Sequence, residues 1–142
     1  MQGPHPARDH GGFQDDRLDD RLTEAGRAPA REAPHRGHHL PRALEQRARA
    51  GLLDGRRATT NKAFFQWVAD QGPRVTWVKV ARWVDDGKFV TSSGVSAGID
   101  MALHVISRTH GREVSENVAR AMEYDWHTEA DWDPFAKVWG LV

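Results

Sequence analysis

A break in composition near residue 50 constrains this chain more than any single motif. All six tryptophans, all four lysines, the one tyrosine and every valine and isoleucine fall in residues 51–142. Residues 1–50 hold nine arginines, eight alanines and five each of histidine, proline and glycine, with Phe13 as their only aromatic residue. Four leucines and one phenylalanine in fifty residues bury too little apolar surface to offset the entropy of ordering them. Leu18 with Leu22, and Leu40 with Leu44, stand four apart, which allows short frayed helices but no packed core. Residues 1–50 therefore read as an irregular segment and residues 51–142 as the single folded unit.

The missing residue types carry a further implication. Arginine, alanine, glycine and proline use GC-rich codons, whereas lysine, isoleucine, asparagine and tyrosine use AT-rich ones. A segment rich in the former set and empty of the latter resembles GC-rich DNA read out of frame; the alternative is a natural Arg/Pro-rich tail.

Across the whole chain 20 basic side chains balance 20 acidic ones, and the isoelectric point is near 7.1. Such a chain exerts no long-range pull on nucleic acid or an anionic membrane, and neither is expected as a partner. No run of about 18 apolar residues occurs, and no apolar stretch follows a basic N-terminus. The expected location is the cytoplasm. The absence of cysteine excludes disulfides, thiolate metal sites and every cysteine-nucleophile mechanism, and no cofactor is expected.

After residue 50 strand and helix signals alternate. Gly51-Leu52-Leu53-Asp54-Gly55 reads as a turn with two apolar anchors, and Arg56 to Thr60 as a short strand. Asn61 is a good N-cap for a helix carrying Phe64, Trp67 and Val68, which Gly72-Pro73 ends. Val75 to Val80 is rich in β-branched residues and reads as a strand. Asp86-Gly87, flanked by β-prone residues, predicts a hairpin with both central residues at positive φ. The next helix has Ile99, Ala102, Leu103 and Ile106 as its stripe and Gly111 as its stop. Another starts near Glu113 with Val114, Val118, Ala121 and Met122 facing inward. The aromatic tail from Tyr124 is expected to dock, with Trp126 and Trp132 turned in. Trp77, Val78, Val80, Trp83, Phe89 and Ile99 should share one core. The fold class is α/β with an inserted hairpin.

Several constellations compete for a chemical role. Gly94-Val95-Ser96-Ala97-Gly98 matches the G-x-S-x-G elbow between a strand and a helix. Asp125 and His127 follow in the order a serine hydrolase needs, but two residues apart on one segment, and no oxyanion loop precedes Ser96. The simpler role for Ser96 is as a turn and cap residue. The alternating Glu123, Asp125, His127, Glu129, Asp131 and Asp133 fail as a calcium loop, because Ala130 and Ala136 stand where glycine and glutamate are required. His104 and His110 have no partner spacing that argues for zinc, and the five histidines before residue 40 suggest at most loose metal contact. Ser92-Ser93-Gly94 at a helix start could hold an anion through free backbone N–H groups.

Three ordered blocks carry a resemblance. Residues 51–60, GLLDGRRATT, resemble the block that follows the nucleophile helix in ThiJ/PfpI proteins, which share the class I glutamine amidotransferase-like fold. The likeness continues through residues 81–100, ARWVDDGKFVTSSGVSAGID, and ends with Gly111-Arg112-Glu113-Val114, Met122 to Trp126, and Trp132 to Phe135. It covers the C-terminal half of that domain and implies a partial flavodoxin-like sheet with helices on both faces, usually in a dimer. It also implies descent from a cysteine-dependent small-molecule hydratase or hydrolase, with isonitrile hydratases, glyoxalase-like enzymes and ligand domains of transcription regulators as similar members.

By that family's spacing the cysteine belongs about ten residues before Gly51, where the chain reads His38-His39-Leu40-Pro41-Arg42-Ala43. Many relatives carry histidine where Asn61 stands, and asparagine cannot act as a general base. The resemblance thus implies a truncated, catalytically incompetent domain with no catalytic residue. A small-molecule ligand would be left to Asn61, Ser93, Gly94 and Ser96. A non-catalytic binding or interaction module and the Ser96 hydrolase remain as alternatives. Sheet strands without their usual neighbours should also favour self-association.

The out-of-frame reading makes the first prediction. Sequencing the locus should reveal a Cys-Thr-Gly-like codon run in another frame upstream of Gly51. An intact frame there would establish the natural tail.

Overall fold

The computed structural model describes residues 42–142, so the expectations for Leu18, Leu22, Leu40, Pro41 and the five N-terminal histidines concern residues outside that range. The elements run α1 (Arg42–Arg49), β1 (Arg57–Ala58), a 3-10 turn (Lys62–Phe64), α2 (Phe65–Gln71), β2 (Thr76–Trp77), β3 (Trp83–Asp86), β4 (Phe89–Ser92), α3 (Val95–His110), α4 (Arg112–Ala121) and α5 (Phe135–Val138). β1 and β2 pair in parallel across α2, and β3 and β4 form an antiparallel hairpin. This is a mixed α/β arrangement, consistent with a partial flavodoxin-like fold.

The packed body reaches back past the compositional break. α1 lies within residues 1–50, yet Ala48 and Glu45 are buried. Ala48 joins Leu53, Ala58 and Val75 in one cluster, with Leu44, Trp77 and Phe89 packed against it. Small residues allow this. Gly72 has an ordinary negative φ of −132° and is required by proximity, since a Cβ there would meet the Ala48 Cβ at 2.9 Å and Val75 Cγ2 at 3.0 Å.

The strands are shorter than their sequence signals. Thr59 leaves the β1 ladder because its N–H donates to the Thr91 hydroxyl at 3.0 Å and its own hydroxyl donates to the Val78 carbonyl at 2.8 Å. The predicted strand from Val75 to Val80 pairs only at Thr76 and Trp77. In the turn at residue 51 Leu53 is buried, but Leu52 is exposed, so one anchor operates where two were expected. The hairpin also shifts by one residue. Asp86 pairs with Phe89, leaving Gly87 and Lys88 as the turn, and only Gly87 has positive φ (76°). Glycine at the first central position is the II′ pattern rather than the I′ pattern that Asp-Gly predicts.

Asn61 caps as expected, its Oδ1 accepting from Ala63 N at 3.0 Å. On α3 the inward stripe is Ala97, Asp100 and Leu103, with Ile99 and Ile106 half-buried and Ala102 exposed. On α4 the contact with α3 is made by Ser115 and Ala119, whose small side chains allow close helix approach. Val114, Ala121 and Met122 consequently turn outward, against expectation. The tail docks, but Trp132 is exposed and Trp126 only partly covered. Of the expected common core Trp83 is buried; Trp77, Val78, Phe89 and Ile99 are half-buried, and Val80 is exposed.

Gly72 tests the seating of α1. Gly72→Ala should lower stability by about 1–3 kcal/mol through overpacking, read as a lower urea midpoint. An unchanged midpoint would mean that Ala48 does not sit against Gly72.

Candidate functional site

The hairpin's second strand delivers the chain into α3 at Ser93-Gly94, and residues of α1 line the same region. Between them lies a cleft of about 430 Å³. Asn61, Ser93 and Gly94, three of the four expected binding residues, line it together. Thr60 joins them, as do Arg47 of α1 and Lys88 of the hairpin turn. Leu44, Leu53, Phe89 and Met101 supply the apolar part of the wall.

Ser96 does not line this cleft. It sits exposed in the first turn of α3, its hydroxyl 3.5 Å from an Arg82 guanidinium nitrogen and its carbonyl accepting from the Tyr124 hydroxyl at 3.2 Å. His127 bonds through its backbone N–H to Asp100 Oδ1, and its ring stacks edge-on to Trp132. No histidine is a hydrogen-bond partner of Ser96 among the described residues, so the elbow lacks the base contact that a serine nucleophile requires. Among the described residues no group of three or more acidic or histidine side chains could hold a metal ion.

Arg82 anchors the site from beneath. Its carbonyl accepts from Ser93 N at 2.9 Å, its N–H donates to the Ala130 carbonyl, and its guanidinium pairs with Asp100 at 2.6 Å. Both side chains are buried. Asp100 also accepts from His127 N, and its carbonyl accepts from the Trp126 indole at 3.3 Å. Tyr124 stands beside this pair, and burial, with the Asp100 charge next, raises the pKa of its phenol.

Lys62 and Asp133 form a second buried pair. The Lys62 ammonium donates to the Ala81 carbonyl at 2.7 Å and to the Thr59 hydroxyl at 2.8 Å. It faces Asp133 Oδ2 at 3.6 Å, an ion-pair separation that leaves this oxygen without a hydrogen bond. Burial lowers the Lys62 pKa to about 8, although Asp133 opposes the shift. On the outer face Asp85 receives His104 and Arg108 of α3 at 2.9 and 2.7 Å. Burial alone would raise the Asp85 carboxyl, but hydrogen bonds from His104 and from the Gly87 N–H, with the Arg108 charge, lower it on balance.

Sequence reasoning did not find Arg82, Asp100, Lys62 or Asp133 as anchors. One signal was present for Asp100: a carboxylate in register with Ala97 and Leu103 on a helix face must be buried with a partner.

No family model matches the sequence. A 78-residue stretch is 38% identical to the HTH-type transcriptional regulator GbdR of Pseudomonas aeruginosa, covering 55% of this chain and 21% of the regulator. Over 75 residues the chain is 36% identical to the isonitrile hydratase of Pseudomonas putida, covering 53% of this chain and 32% of the hydratase. The HTH-type transcriptional regulator CdhR of P. aeruginosa matches at 36% over 72 residues, 51% of this chain and 21% of the regulator. The chain thus spans from about a fifth to a third of the length of these relatives. The similarities support a ThiJ/PfpI-like relationship over half of the chain. Among the described residues no helix is long and apolar enough to cross a membrane.

Lys62 generates a pH prediction. With a folded pKa near 8 against an ordinary 10.5, the unfolded chain binds more protons between those values. The contribution of this group to stability should therefore rise as pH climbs from about 8 towards 10.5. Urea unfolding across that range should show the slope, and Lys62→Met should flatten it. An identical profile in both proteins would contradict the assignment.

Proposed function

We propose that this chain carries the C-terminal half of a ThiJ/PfpI-like domain, which holds a small molecule in the Asn61–Ser93–Gly94 cleft without the thiol chemistry of the family's enzymes. The carrying observation is that three of the four residues named by the resemblance, Asn61, Ser93 and Gly94, line one cleft in a chain without cysteine. The position of α1 supports the same reading. It ends immediately before Gly51, where the family's spacing puts the helix behind the nucleophile, and it forms one wall of the cleft. The half-domain then comprises residues 51–142 extended back through α1, with an out-of-frame segment ahead of it.

The relatives include an enzyme and two transcriptional regulators, so either ancestry fits. A binding role follows from the groups available. Asn61, Thr60 and Ser93 offer neutral hydrogen bonds, and none of them attacks an electrophilic carbon as a thiolate does. Loss of a covalent nucleophile removes several powers of ten in rate, which the remaining polar contacts do not restore.

The full chain should accordingly turn over neither isonitriles nor methylglyoxal above the buffer rate. Turnover that disappears in Asn61→Ala or Ser96→Ala would overturn this reading and put a catalytic site in its place.

A further inference from the structure

Resting on that reading of the cleft, we infer that its ligand is a small organic anion, bound through a carboxylate or phosphate head. The cleft is lined by positive charge without negative. Arg47 and Lys88 are its charged lining residues, and no aspartate or glutamate accompanies them. Neither pairs with a carboxylate among the described residues. The Arg47 guanidinium reaches only the Ala43 carbonyl at 3.1 Å, and the Lys88 ammonium lies 5.8 Å from the Phe89 ring centroid. Cations left unpaired beside a pocket attract anions.

The hydroxyls of two buried residues that line the cleft give a second indication. Thr60 and Ser93 line the cleft at 2% and 7% exposure, and neither side-chain oxygen makes a hydrogen bond among the described residues. A ligand oxygen in the cleft would accept a hydrogen bond from either hydroxyl. The Asn61 amide adds a further donor, since Oδ1 is already engaged by Ala63 N while its NH2 group is not.

The backbone contributes in the same sense. Gly94 is the N-cap of the 16-residue α3 and makes no side-chain cap, and the first intrahelical bond runs from Gly98 N to the Gly94 carbonyl. The N–H groups of the first turn therefore have no helical partner, and the positive end of the helix dipole lies beside the Ser93 hydroxyl. Hydroxyl, amide, guanidinium, ammonium and helix N-terminus all donate. Their complement is a group that only accepts, and carboxylate and phosphate are the small groups of that kind. The wall of Leu44, Leu53 and Met101 then suits a short apolar body attached to that head.

The test titrates the 15N-labelled full chain with butyrate, inorganic phosphate and neutral butyramide at constant ionic strength. Butyrate or phosphate should give saturable shifts of the Ser93 and Gly94 amides, and the tighter of the two identifies the headgroup. Butyramide should bind at least about tenfold more weakly. Arg47→Gln and Ser93→Ala should each weaken the anion by about tenfold, the loss of one charge-assisted hydrogen bond. Arg47 is exposed, so its variant folds even if Ser93→Ala does not. Butyramide binding as tightly as butyrate would overturn the anion and leave the ligand cleft standing. Anion shifts unchanged in both variants would put the anion elsewhere and overturn the assignment, and no saturable shift with any probe would overturn the cleft as well.

Discussion

The buried pair of Arg82 and Asp100 holds this small fold together. Asp100 is fully buried on α3, and Arg82, 5% exposed, opens the hairpin. Between them they fix α3 against β3, tie down the tail at Trp126, His127 and Ala130, and set the Ser93 N–H from which the cleft is built. Charges taken from water are tolerated only where their hydrogen bonds are filled, and here both Asp100 carboxylate oxygens are engaged. Removing one partner of such a pair typically costs about 3–5 kcal/mol, because the other charge is left buried and alone.

Lys62 and Asp133 repeat this device less completely. The lysine is well satisfied by Thr59 and Ala81, but one Asp133 oxygen keeps only the ion pair. The two pairs use different parts of the tail, near residues 126–130 and at residue 133. An aromatic segment whose large side chains are mostly exposed is thereby held by polar contacts. This explains why Trp132, Phe135 and Trp139 need not enter the core: the docking of the tail does not depend on them.

Much of the architecture was legible in the sequence because it rests on local chemistry. Asn61 as a cap, Gly111 as a helix stop and Gly87 in a hairpin turn act through φ and hydrogen bonds within a few residues, and each appears where its sequence signal lies. The errors come where tertiary contacts decide. Thr59 had the propensity for a strand, but a distant hydroxyl at Thr91 captured its N–H. On α4 the helical period was right and the face was wrong, since Val114 and Met122 lost the inner position to Ser115 and Ala119. The packing of α1 was missed because composition was averaged over fifty residues, which concealed a short helix that buries Glu45 and Ala48.

The candidate site divides along the same line. Asn61, Ser93 and Gly94 were named by the family resemblance, and the structure brings them to one cleft. Arg47 and Thr60 were not, since nothing in their neighbours along the chain distinguishes them. They matter only because α1 and the start of α3 line one cleft, although the two segments are about fifty residues apart. A site assembled in that way depends on the seating of α1, and through Ser93 on the Arg82 carbonyl. Changes at Gly72 or at Asp100 would therefore reach the cleft from opposite sides without touching a lining residue. The small Ala48–Gly72 contact and the buried ion pair are the two supports on which the cleft stands.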